Sequence, residues 1–149
     1  MTTWLDMEQQ QQWRSLLMGS NALFAALNHD LESETGLSLN EYEVLVRLSE
    51  SPDRTMRMSA LADGLVHSRS RITHAVRRME QRGLVSRCAA ADDGRGVVCS
   101  MTDAGQEALV AAAPTHVQSV REHLVDVVTA EELAAMGSAF ERVSAALAT

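Results

Sequence analysis

Apolar residues recur at helical spacing from the first turns of the chain: Trp13, Leu16, Leu17, Phe24, Leu27 and Leu31, with Leu23 beside them. Steps of three and four predict one long amphipathic helix. Asp6 followed by Gln9 is a capping box in front of it, and Gly36 supplies a left-handed stop. Ser38 to Glu41 is a second capping box, with Leu37 placed to staple onto Tyr42. That second helix runs to about Glu50 and ends before Ser51 and Pro52. Met56 to Met58 reads as a small strand. Ser59 caps a short third helix, Ala60 to Leu65, and Val66, His67 and Ser68 form a break. Ser68 caps a fourth helix, Arg69 to Arg82, closed by Gly83. Ile72, Ala75, Val76 and Met79 mark its inward face.

The pattern then changes. Leu84 to Cys88 and Val97 to Met101 read as strands around an Asp-Gly turn, a hairpin signal. A two-residue turn at Asp93 and Gly94 would set Cys88 opposite Cys99. Thr102 caps a long fifth helix with Leu109, Ala113, Val117, Val120, Leu124 and Val127 along one side and Pro114 inside, where a bend is expected. Thr129 to Glu132 is another capping box. The last helix carries Leu133, Met136, Phe140, Val143 and Leu147, spaced like a coiled-coil seam. The expected fold is mainly α with a small β-hairpin wing. Residues 37–102 form a winged helix–turn–helix lobe, and residues 1–36 and 103–149 supply long dimerisation helices. In a monomer those helices would expose more than the ~300–600 Å² apolar patch of ordinary soluble proteins.

Composition adds limits. The 149 residues suit one domain with dimerising arms, and 46% apolar with 3% aromatic content implies an aliphatic core. No apolar run spans a membrane and no signal peptide opens the chain, so a cytoplasmic protein is expected. Two cysteines without metal-site spacing make no scaffold. Charge changes the picture more. Nine of the thirteen basic residues, all thirteen arginine, fall between Arg54 and Arg95. Only Asp63, Glu80, Asp92 and Asp93 oppose them, so that window carries +5 while the rest of the chain carries -12. A basic island on a helix–turn–helix pattern points to nucleic acid, whereas a plain helical hairpin with a solvated arginine face is the bland reading.

Winding the fourth helix places Ser70, Thr73, His74, Arg77 and Gln81 opposite the apolar stripe, flanked by Arg71 and Arg78. Its first half would meet base edges in a major groove. Arg69 and Arg71 lie near the positive helix end, where phosphate binds readily. Arg82 is better explained as offsetting the negative end of the helix dipole. Arg95, at the hairpin tip, can enter a minor groove, with Asp92 or Asp93 pairing to fix it. No nucleophile elbow, phosphate loop or zinc-protease motif is present, and neither an enzyme nor a cofactor is expected. His29, His116 and His123 leave a metal-responsive reading open, Cys88 and Cys99 a redox one. A helical dimer binding an acidic protein is a third.

Met58-Ser-Ala-Leu-Ala, Ser68 to His74, Met79-Glu-Gln-Arg-Gly-Leu-Val, Asp93-Gly-Arg-Gly and Met101-Thr-Asp-Ala-Gly together resemble the MarR family of bacterial transcription regulators. The likeness follows the whole helix order. It implies a homodimer on a pseudo-palindromic double-stranded DNA operator, usually as a repressor. It carries the DNA-contacting roles onto Ser68 through Arg77, with Arg69, Ser70, Arg71, Thr73 and His74 between them, and the wing role onto Asp93 and Arg95; Arg78 joins the candidates from its place beside that face. It also implies release by a small effector, often an aromatic acid. No motif marks that pocket. Trp13, His29, Tyr42 and His116 are the candidate walls, each with an ordinary core or surface role as its alternative.

Overall fold

The computed structural model describes residues 1–63, 69–92 and 94–148. The order is α1 (Met7–Thr35), α2 (Leu39–Ser49), β1 (Thr55–Arg57), α3 (Met58–Asp63), α4 (Arg69–Gln81), β2 (Val85–Ala89), β3 (Val97–Met101), α5 (Asp103–Val120) and α6 (Ala130–Leu147). The expected mainly helical winged helix–turn–helix is what forms. Among the described residues no helix is long and apolar enough to cross a membrane.

The local punctuation behaves as the side chains dictate. Asp6 and Gln9 exchange backbone-to-side-chain bonds of 3.0 and 2.7 Å ahead of α1. Ser38 with Glu41 and Thr129 with Glu132 close reciprocal capping boxes on α2 and α6. Gly36 and Gly83 follow α1 and α4 at φ of 75° and 74°, conformations that a Cβ would strain. The third helix differs from expectation. It begins at Met58, directly off β1, so Ser59 is its second residue and not its cap. The inter-helix break, with the expected capping role of Ser68, lies outside the described residues, as does Asp93.

The chain divides into two compact units. The first comprises Met1–Leu27 and His116–Thr149. Its surface is rich in apolar side chains: Trp13, Leu16, Leu17, Phe24, Val117, Phe140, Val143 and Leu147 are each 41–79% exposed. After α5, residues Arg121–Val125 wind as a π-helix, with the Asp126 N–H donating five residues back to the Arg121 carbonyl at 2.8 Å. The sequence pattern does not reveal that widening. α5 itself runs through Pro114.

The second unit, Asn28–Thr115, is the winged lobe. Its core joins Val44, Leu45 and Leu48 of α2 to Leu61 of α3. Ile72, Val76 and Met79 of α4 and Cys99 of β3 complete it, all fully buried. The sheet is antiparallel in the order β1-β3-β2. Its register overturns one expectation. Arg87 faces Cys99 and Cys88 faces Val98, so the two cysteines are offset by one position. Pairing with this parity centres the hairpin on a residue and not between two, which excludes a two-residue turn. Beyond the strand ends the Ala90 N–H donates to the Gly96 carbonyl at 2.8 Å, closing a wider connection. Buried Ala90 anchors one side of it and Gly94, at φ 65°, turns the chain. Neighbouring strand residues face opposite ways, so Cys99 is buried and Cys88 exposed.

Candidate nucleic-acid interface

α4 is built to separate two faces. Ile72, Ala75, Val76 and Met79 are buried, as their spacing predicts, and hold the helix on the lobe. Ser70, Arg71, His74, Arg77 and Arg78 are exposed, and Thr73 is half-buried. The helix thus presents its arginines while its apolar stripe fixes their orientation. Arg69 lies 3.6 Å from Asp63, an ion pair across the inter-helix break. The Thr73 hydroxyl donates to the Arg69 carbonyl at 2.8 Å, so its proton is engaged within the helix.

Glu80 and Arg87 fasten the end of α4 to the base of the wing. The Arg87 guanidinium donates to both Glu80 oxygens, at 3.4 and 3.1 Å, and the Arg87 N–H adds a third bond at 3.2 Å. A forked pair of this kind holds geometry as well as charge. The hydrogen bond from Arg87 holds the Glu80 carboxyl below its ordinary value of 4.5. The sign follows from that lowering. The pair's stabilisation is full above the unfolded value and is lost as pH falls through the lowered folded one. Melting temperatures taken down an acid series should lose this component in Glu80→Gln, with neutral-pH folding retained; an unaltered acid profile would count against the clamp.

Arg82 does more than offset a dipole. It donates to the Gly36 carbonyl at 3.0 Å and lies 3.5 Å from Glu41, a carboxylate only 8% exposed at its side chain. It thereby ties the end of α4 to the α1–α2 turn.

The wing loop shows Arg95 exposed. Asp92 is held by Arg57, whose Nη2 donates to both carboxylate oxygens at 2.7 and 2.9 Å. Arg57 comes from β1, and in the sequence it reads only as one charge of the basic island. Its neighbour in register, Val98, lies on the strand leading out of the wing, a proximity that only the sheet order reveals.

The four candidate effector residues have different surroundings. Trp13 is half exposed and His29 exposed, whereas Tyr42 is buried. Burial pushes the Tyr42 hydroxyl pKa up and the half-buried His116 imidazole down. A depression of about 170 Å³ opens between α3 and the start of α4, lined by Met58, Ser59, Ala62, Arg69, Ile72 and Thr73. None of the four lines it, and it falls below the ~300 Å³ at which small-molecule pockets usually begin. Among the described residues no three His, Cys, Asp or Glu side chains gather as a metal site would need. Burial raises the Cys99 thiol to about 11, which keeps it protonated and unreactive at neutral pH.

Comparison with known proteins places this geometry. The MarR family model matches residues 35–96. AbsC, a MarR family transcriptional regulator from Streptomyces coelicolor, is 39% identical over 98% of both chains, with a TM-score of 0.87. Sco3205, a regulator of the same family and organism solved in complex with DNA, is 36% identical over 99% of this chain and 93% of its own, with a TM-score of 0.92. A mutant MarR from E. coli complexed with operator DNA shares the fold at 20% identity, covering 93% of this chain and 99% of its own at a TM-score of 0.78. No curated protein matches the chain.

Proposed function

Because this chain belongs to the MarR family of transcriptional regulators, we propose that it is a sequence-specific double-stranded DNA-binding repressor. It acts as a homodimer on a pseudo-palindromic operator. The observation that carries the reading is the exposed arginine face of α4, fixed by a buried stripe and clamped to a wing bearing Arg95. Ser70, Thr73, His74 and Arg77 lie on the face a recognition helix turns to base edges, flanked by Arg71 and Arg78, while Arg69 and Arg71 lie near the helix end where phosphate binds readily. The capture of a regulator 36% identical to it in complex with DNA supports the same partner here. Ser68 and Asp93 are assigned to the interface on sequence resemblance.

The exposed apolar side chains of the first unit support dimerisation through residues 1–36 and 103–149. A twofold dimer would cover them and set two recognition helices about 34–36 Å apart, one turn of DNA. That spacing tolerates little change. A small aromatic acid preferring a mis-spaced dimer would therefore release DNA through differential affinity alone. Trp13, His29, Tyr42 and His116 are the proposed walls of its site.

The test is direct. Sedimentation should give about twice 16.2 kDa, and the DNA beside the protein's own gene should contain an inverted repeat bound with strong salt dependence. A monomer that binds DNA tightly would overturn the dimer. Preference for an acidic protein over duplex DNA would overturn the regulator. Titrating salicylate and related acids against the protein–operator complex should weaken binding and leave the dimer intact; no response from any of them would remove the effector.

A further inference from the structure

We propose that Arg57 is the positioning residue of the wing, setting the loop from which Arg95 reaches DNA. The proposal rests on the DNA-binding reading above and deepens it. Arg57 is the last residue of β1, on the opposite side of β3 from β2. Its guanidinium grips both Asp92 oxygens on one side of Arg95 in sequence. On the other side it lies against Gly96 so closely that a Cβ added there would collide with Nη1. One side chain thus holds the loop on both flanks of Arg95.

The ion pair alone adds little to folding. Its side chains are 38% and 74% exposed, and solvent-screened pairs of this kind contribute little to stability. Its effect lies in what a loop must surrender on binding. A wing already held in one shape loses less conformational entropy when its arginine enters a groove than a loose wing does. The absence of a side chain at Gly96 serves the same end. Gly96 is not at positive φ, so its backbone does not require glycine; the space is taken by the Arg57 head. Alanine there would displace the flexible end of Arg57 and leave the backbone otherwise unstrained.

The experiment is a mutant cycle on operator affinity. Arg57→Ala and Gly96→Ala should each weaken binding about 2–10-fold per half-site, the cost of ordering a side chain and its loop. In an Arg95→Ala background neither should weaken it further, because the residue they position is gone. The exchanged pair Arg57→Asp with Asp92→Arg should recover part of the loss. Thermal unfolding of each variant should stay near the parent. A full additional loss in the Arg95→Ala background would mean that Arg57 touches DNA itself and would overturn the proposal. So would unchanged affinity in both single variants. If the parent protein fails to bind duplex DNA, the DNA-binding reading fails first and separately.

Discussion

Gly105→Ala is expected to destabilise the winged lobe by about 3 kcal/mol, a large share of the stability of a domain this size. α5 starts immediately after β3, and its first turn presses on the backbone entering β2. A Cβ at Gly105 would run into the Leu84 carbonyl and the Met101 side chain. The carbonyl cannot move freely. It accepts the Thr102 N–H at 3.1 Å, while the Thr102 hydroxyl donates to the Gly83 carbonyl at 2.6 Å. Relieving the overlap breaks the joint between α5 and the turn that closes α4. Denaturant unfolding should show a lower midpoint with a nearly constant slope. A midpoint equal to the parent's would mean that the joint opens without cost.

The second large effect concerns recognition. Arg77→Ala and Arg95→Ala should each cost about 1–3 kcal/mol per half-site in operator affinity. Binding measured across a salt series separates their roles. Where an arginine neutralises a phosphate, its removal should flatten the logarithmic salt slope by about one unit per half-site. Arg95→Ala should also reduce A·T preference at the flanks of the site. Arg82→Ala provides the contrast. Its guanidinium is engaged by Gly36 and Glu41, so its removal should lower stability and leave the salt slope unchanged. If Arg77→Ala and Arg95→Ala both bind as the parent does, the basic island serves another partner.

Local chemistry is legible in the sequence wherever one segment decides its own shape. Asp6 with Gln9, Ser38 with Glu41 and Thr129 with Glu132 cap as written. Ile72, Ala75, Val76 and Met79 go inward because the helical period leaves no other arrangement. What stays hidden depends on pairing between distant segments. The Cys88–Cys99 expectation fails because hairpin register is set by loop length. That loop is organised by Arg57, more than thirty residues upstream. Arg82 reads as a helix-end charge because its partners, Gly36 and Glu41, lie two helices away. The start of α3 moves to Met58 because the helix follows β1 directly, with no room for a separate cap.

The one-residue offset in the hairpin has a practical consequence. It divides the two thiols between the faces of a thin sheet, one sealed and one open to reagents. A maleimide dye should therefore attach at a single natural position, Cys88, at the foot of the wing. The native chain thus carries its own spectroscopic handle beside the segment expected to dock on DNA, and wing movement can be followed by fluorescence without introducing or deleting a cysteine.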